Sequence, residues 1–216
     1  MADAPGVMGT AEEAAYELRC AEGATWTGSR LLIGVCTFAF AGLAFAYFYL
    51  RSINSEGLWR PGHVTPSILL GTLIGAAVLG GAAINSYGMR RMRATGATTD
   101  WEVGGWLTVG LGITAFGLQV WEMSRLPFYP GSSGYSSCFI AWGIFNAVFI
   151  LGGSYWLETL LARSIRLRRA VAEDGGAGRS QLPPAKLFRA NMEGCSYFWW
   201  YMGLVSLLFW LLFYII

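Results

Sequence analysis

The stretch LLIGVCTFAFAGLAFAYFYL, residues Leu31 to Leu50, decides the fold of this chain. It contains no charged side chain, and as an α-helix at about 1.5 Å per residue it covers roughly 30 Å, the thickness of a bilayer hydrocarbon core. It ends in aromatic residues followed by Arg51, which is typical of an anchor at a membrane interface. Thirty mixed residues precede it, so we expect a retained membrane span and not a cleaved signal peptide.

The composition extends this prediction to the whole chain. Hydrophobic residues make up 55% of it and charged residues 13%, against about 25% charged residues in soluble domains. We therefore expect an all-α, polytopic membrane bundle with no sign of a nucleic-acid partner. Residues 1–30 are predicted to be a cytoplasmic segment with partial helix at most, and residues 31–216 a five-span membrane domain. The spans are predicted at about 31–50, 67–87, 104–121, 138–161 and 197–216.

The distribution of Lys and Arg predicts the orientation. Twelve of the fifteen fall in the N-terminal segment and the second and fourth loops, and three fall on the other side. Cytoplasmic loops carry the excess of Lys and Arg, so we expect the N-terminus to be cytoplasmic and the C-terminus to lie outside. The expected location is the bacterial cytoplasmic (inner) membrane. Residues 163–193, which hold seven of these cations with several Gly and Pro, are predicted to be a mobile linker.

Small residues in the second span predict close helix packing. Gly71, Gly75 and Gly80 fall on nearly one side of the helix, where the lack of side chains lets a neighbouring helix approach in lipid. We expect this stripe to be a helix-packing or subunit interface, and Gly75→Leu to be more harmful than Leu79→Ala.

Polar residues inside the spans are few. Asn146 is the most central and is expected to join helices, while Gln119 is expected to bond a neighbouring helix. Glu122 and Glu158 lie near span ends and are expected to have structural or anchoring roles before any role in proton transfer. Gln119, Glu122 and Asn146 are thus candidate interface residues.

Aromatic and cationic residues at span ends are candidates for contact with lipid. The cluster from Tyr197 to Tyr201 lies at the predicted cytoplasmic start of the fifth span, where aromatic belts occur. The residues assigned to the membrane interface are Tyr49, Arg51, Trp59, Trp199 and Trp200.

The sequence offers no obvious redox or catalytic site. His63 is the single histidine and falls in a loop, whereas haem and copper sites in membranes are built largely from histidine. The cysteines are widely scattered without a C-x-x-C pair, so we expect free thiols at Cys20, Cys36, Cys138 and Cys195. We expect no metal or cofactor in this chain and a non-catalytic membrane subunit.

The order of motifs from about Leu31 to Ile216 resembles subunit III of haem-copper oxidases, in its five-span form. Ala46 to Arg51 reads AYFYLR, Trp59-Arg60-Pro61 is similar to the W-P-P of the following loop, and Gly117 to Glu122 reads GLQVWE. The resemblance implies an accessory subunit of a respiratory terminal oxidase in aerobic electron transport. Its expected partners are the catalytic subunit (subunit I), other oxidase subunits and phospholipid, with haem and copper held by subunit I.

Three positions depart from the family pattern. Cys36 stands where the family has a membrane Glu, the segment from Asn146 to Ile150 stands where it has H-G-x-H-V, and the segment from Phe198 to Gly203 looks like its Y-W-H-F-V-D without the polar residues. A role in supporting proton uptake would rest on those lost groups, whereas a packing role would not. The alternatives are an oxidase-like accessory subunit of a nitric-oxide reductase, and a small lipid-binding or transport protein of the membrane.

Overall fold

The computed structural model describes residues 10–54, 57, 59–60, 65–95, 98–173 and 183–216. These residues form five helices, each long and apolar enough to cross a membrane, and no strand. The all-α polytopic fold is thereby confirmed, and the chain is a multi-pass membrane protein. The helices are α1 (Thr10–Ile53), α2 (Ile68–Thr95), α3 (Thr98–Ser124), α4 (Gly134–Glu173) and α5 (Pro183–Trp210), with a π-helical turn at Leu211–Ile215 after α5.

Helices are the structure that a lipid environment demands, because backbone N–H and C=O groups there have no water to bond and must be satisfied within the segment. The sequence places its breakers between the helices. Pro127 and Pro130 lie between α3 and α4. At the start of α2 the Ser67 hydroxyl accepts a hydrogen bond from the Leu70 N–H at 3.4 Å, which serves as an N-cap.

Helix α5 is the central element and packs against α1, α2 and α4, while α3 packs against α2 and α4. Helices α1 and α5 run parallel, since Trp26 contacts Tyr197 near the start of their contact and Tyr47 contacts Phe213 near its end. We call the end of the bundle that holds Ile53, Ser124 and the π turn the C-terminal end. The opposite end, with the junctions between α2 and α3 and between α4 and α5, is the N-terminal end.

The prediction of partial helix at most for residues 1–30 is wrong for residues 10–30, because α1 starts at Thr10 and continues into the span without a break. This segment is rich in Ala and Glu and contains no proline, so helix propagates through it. Trp26 also packs on Tyr197, with ring centroids 5.8 Å apart, which ties this part of α1 to α5.

The predicted linker at residues 163–193 is mostly helix. Helix α4 continues to Glu173 and α5 starts at Pro183, so the prediction of a mobile linker can hold only for residues 174–182, which lie outside the described part of the chain. His63 also lies outside it. The helix that carries the fifth candidate span, α5, begins at Pro183 and so extends before the predicted residue 197.

Candidate functional site: a buried polar chain joining α3, α4 and α5

The buried polar groups form a connected chain that starts near the C-terminal end of the bundle. Glu122, in the last turn of α3, is only 2% exposed. Its two carboxylate oxygens each lie 2.8 Å from the hydroxyl of Tyr214, which donates a hydrogen bond from the π turn. The Gln119 amide, one helical turn earlier, also points at Glu122, with its Nε2 3.4 Å from Oε2. The carboxyl group thus holds α3 against the last turn of the chain.

This buried polar chain of side chains continues from Gln119 into the interior of the bundle. Asn146 of α4 donates from Nδ2 to Oε1 of Gln119 at 3.1 Å, and the hydroxyl of Ser206 in α5 donates to Oδ1 of Asn146 at 3.1 Å. All three side chains are buried. Asn146 therefore connects three helices, and Gln119 bonds both a neighbouring helix and the residue one turn ahead of it.

The π turn is held by side chains from elsewhere in the chain. The last carbonyl groups of a helix lack partners within it. Here the Tyr47 hydroxyl donates to the Leu212 carbonyl at 2.7 Å, and the Tyr135 hydroxyl and Arg60 both donate to the Phe213 carbonyl at 2.7 Å. Three connections therefore fix the end of α5 in place.

Aromatic packing surrounds the same turn. The Trp59 ring lies edge-on to Tyr47 and Tyr135, with centroid distances of 5.1 and 5.9 Å. Arg60 stacks over the Tyr135 ring at 4.3 Å, a cation–π contact. Arg51 donates to the Tyr47 hydroxyl at 3.2 Å. Trp59 and Arg51, both assigned to the membrane interface, contact residues of this aromatic cluster, and their assignment to the interface stays a prediction.

The N-terminal end carries its own polar contacts. Glu102 of α3 is buried, accepts a hydrogen bond from the Ser164 hydroxyl at 2.7 Å and pairs with Arg168 at 3.2 Å. Nearby, Glu193 of α5 pairs with Arg93 of α2, and with Arg189 at 3.5 Å. This end is therefore joined by carboxylate–arginine pairs, in which the arginines are half exposed.

The predicted glycine stripe of α2 is only partly a packing surface within this chain. Gly71 faces the Tyr214 ring so closely that no side chain would fit. A Cβ atom added at Gly75 would meet nothing within 4 Å, and one added at Gly80 would meet only Leu111 at 3.9 Å. These positions therefore give no support to the expectation that Gly75→Leu weakens packing within the bundle, and its effect on a partner complex stays a prediction. Leu79, chosen as the less harmful position, in fact packs against Gly203 of α5.

The assignment of Trp199 to the lipid interface is wrong. Trp199 is 1% exposed, and its ring lies against Gly112, near the middle of α3. The cause is the early start of α5, which places this residue deep in the bundle and not at its edge. Trp200 is 37% exposed and donates to the Ser86 hydroxyl at 2.6 Å, and Tyr49 is exposed on α1.

Glu158 stands apart from these contacts. It is exposed on the outer surface of α4, and among the residues that the structure describes it has no hydrogen bond or ion pair. The sequence could not say whether this carboxylate is paired within the chain.

Several members of the buried chain could not be identified as polar-site residues from the sequence. Tyr214 lies in a terminal apolar run and Ser206 is one of several hydroxyl-bearing residues of α5, so neither is unusual by type. The spacing of Glu122 and Gln119, three residues apart, places both on one helix face and was a usable signal for two of the members.

The chemistry of this site is that of a structural connection. It contains a carboxyl group, two amides and two hydroxyls, which bond one another across α3, α4, α5 and the π turn. Among the described residues no group of three or more His, Cys, Asp or Glu side chains could hold a metal ion, and the four cysteines are free. The fold and site together define a helical multi-pass membrane protein with a buried polar chain. No protein-family model matches the chain, and no curated protein matches it either.

Proposed function

We propose that this chain is the non-catalytic accessory subunit III of a respiratory haem-copper terminal oxidase, which packs against the catalytic subunit and stabilises it. Haem and copper would be held by that partner. One observation supports the proposal most strongly: the motifs that carry the sequence resemblance, far apart in the chain, meet at the π turn.

Each motif contributes a contact there. From AYFYLR comes Tyr47, which bonds the Leu212 carbonyl, and from the W-P-P-like motif comes Trp59, whose ring packs edge-on against Tyr47 at 5.1 Å. From GLQVWE comes Glu122, which accepts the Tyr214 hydroxyl. Random similarity in apolar sequence gives no reason for three separate motifs to share one structural task. Three motifs that meet at one turn are what we expect if the family conserves them for packing. The role that these contacts support is therefore a packing role and not a redox role.

The test is the composition of the complex purified in mild detergent from the native membrane through a tag on this chain. We expect a haem-copper chain in equal amount, with the spectrum and oxygen consumption of an oxidase. Nitric-oxide reduction without oxygen reduction would favour the reductase alternative. Purification without any haem-containing partner, under conditions that retain other membrane complexes, would overturn the proposal.

A second measurement concerns the isolated chain, which we expect to bind neither haem nor copper in stoichiometric amount. A haem band in its optical spectrum would contradict an accessory role. The proposed orientation, with Met1 cytoplasmic, is tested by labelling Ser132→Cys between α3 and α4. Labelling of this cysteine only from the cytoplasmic side would reverse the orientation.

A further inference from the structure

We propose that the outer surface of α4 around Glu158 is a docking surface for a transmembrane helix of a different protein, and that this helix presents an arginine or lysine to the Glu158 carboxylate. The inference builds on the proposed function, which requires a membrane partner, and adds the face and the charge that recognise it.

The first argument is the depth of Glu158. Contacts between α3 and α4 show which residues lie at the same height in the bundle. Glu102 of α3 contacts Ser164 of α4, and Gly105 of α3 lies against Leu161 of α4. Ser164 lies six residues beyond Glu158, which is about 9 Å along a helix. The carboxylate is therefore well inside the polar contacts of the N-terminal end and faces the lipid at that depth.

The second argument is the direction of the side chain. Side chains on a helix lean toward its N-terminus, and the N-terminus of α4 lies at the opposite end of the bundle. Glu158 therefore leans toward the middle of the membrane and away from the nearer aqueous surface. A short side chain with this direction cannot extend to water as a long lysine does. A carboxylate exposed to hydrocarbon is costly, so such groups are found paired.

The third argument is the character of the surrounding surface. Tyr155, one turn before Glu158, is 69% exposed, and Thr159 beside it is also exposed. A side chain at Gly152 would meet nothing within 4 Å, so a helix could approach closely there. Polar groups beside a small residue are the features that hold helices together in lipid. On the same stripe, Val148 and Leu151 are exposed and apolar, as expected of a surface that continues into the membrane.

A two-fold dimer of this chain does not fit the surface. In such a dimer, with both copies in the same orientation, Glu158 would face Glu158 of the other copy at the same depth. Like charges in that position repel. A cation at matching depth on another chain satisfies the carboxylate instead, which is why we assign a heteromeric partner.

The test is photo-crosslinking in native membranes. The full chain carries p-benzoylphenylalanine in place of Tyr155, and the control carries it in place of Leu107 of α3. Leu107 is 56% exposed, and the contact of Gly105 with Leu161 places it near the level of Thr159, one helical turn from Tyr155. We expect one discrete adduct with a different membrane protein from position 155, at least about fivefold stronger than from position 107. The crosslinked peptide should lie in a transmembrane segment with an arginine or lysine within one turn.

Charge variants then separate recognition from chance proximity. With the crosslinker at position 155, we expect Glu158→Lys to lower the adduct at least about tenfold, because like charges in low dielectric repel strongly, and Glu158→Gln to lower it by about two- to fivefold. Since Glu158 is exposed and bonds no described residue, both variants should match the parent chain in yield and gel-filtration profile. Only phospholipid adducts, only homodimeric adducts, no adduct, or no effect of Glu158→Lys would each overturn the inference.

The identity of the crosslinked chain separates this inference from the proposed function. A charge-dependent adduct with a partner that does not co-purify with any haem-copper chain supports the docking surface and contradicts the oxidase role. A haem-containing partner that crosslinks from position 107 and not from 155 supports the oxidase role and contradicts the docking surface.

Discussion

The two ends of the bundle hold their carboxylates in opposite ways. At the C-terminal end, Glu122 is buried and its bonded partners are neutral: the Tyr214 hydroxyl and the Gln119 amide. At the N-terminal end, Glu102 and Glu193 pair with arginines that remain half exposed. Hydrogen bonds among desolvated groups are insensitive to salt, while ion pairs that water reaches are screened and contribute little. From this difference in the partners of the carboxylates we expect the C-terminal end to be the more rigid one. We also expect added salt to weaken the contacts of the N-terminal end only.

The strongest way to break the C-terminal end is Gly71→Leu. The new side chain would overlap the Tyr214 ring and push its hydroxyl away from Glu122. Overpacking and a lost buried hydrogen bond together should lower the free energy of unfolding by about 3 kcal/mol or more. The measurement is unfolding by sodium dodecyl sulfate in mixed micelles, followed by tryptophan fluorescence.

Gly75→Leu is the matched control for this prediction. It adds the same side chain one turn away, where the added Cβ atom has no neighbour within 4 Å. We expect the free energy of unfolding to change by about 0.5 kcal/mol at most. Equal effects at positions 71 and 75 would mean that Tyr214 does not pack on α2 as the structure shows. Since lipid or a partner could still contact Gly75, its role in the complex is judged separately by co-purification.

Sequence reasoning succeeded where one strong physical signal acted alone. Long apolar segments have no other stable structure in lipid, so the five helices followed directly from the composition. Asn146 and Gln119 were visible as buried polar candidates because amides are rare inside spans. Their shared partners were not visible, since the hydrogen bond between residues 119 and 146 depends on how α3 and α4 pack.

Sequence reasoning was wrong where helices extended past the predicted apolar spans. Nothing in an apolar pattern marks the end of a helix that continues into polar sequence, as α1 does before Arg30 and α5 does before Tyr197. The misplacement of Trp199 followed from this error, because an aromatic residue at a presumed span end is naturally assigned to the interface. The π turn was also invisible, since its partners Tyr47, Arg60 and Tyr135 come from distant segments.

A smaller effect at the C-terminal end is expected from Tyr214→Phe. The change removes only the hydroxyl, keeps the ring against Gly71, and leaves the buried Glu122 without its closest donor. We expect a loss of about 1 to 2 kcal/mol in the free energy of unfolding, within the range for an unsatisfied buried group. Tyr129→Phe is the control, because that ring is exposed at the same end. A loss no larger than in the control would mean that the Glu122 contact adds nothing to stability.

The smallest effect belongs to the N-terminal end. Glu193→Gln removes the charge that pairs with Arg93 and Arg189, while the amide still fills the same space. Because water reaches both arginines, we expect a loss of about 0.5 kcal/mol at low salt that disappears near 1 M salt, where the Debye length is about 3 Å. The loss caused by Tyr214→Phe should be the same at both salt concentrations, since its groups are desolvated. Unfolding curves of the parent and the two variants at low and high salt give the comparison. If both losses respond equally to salt, the two ends of the bundle do not differ in the way proposed.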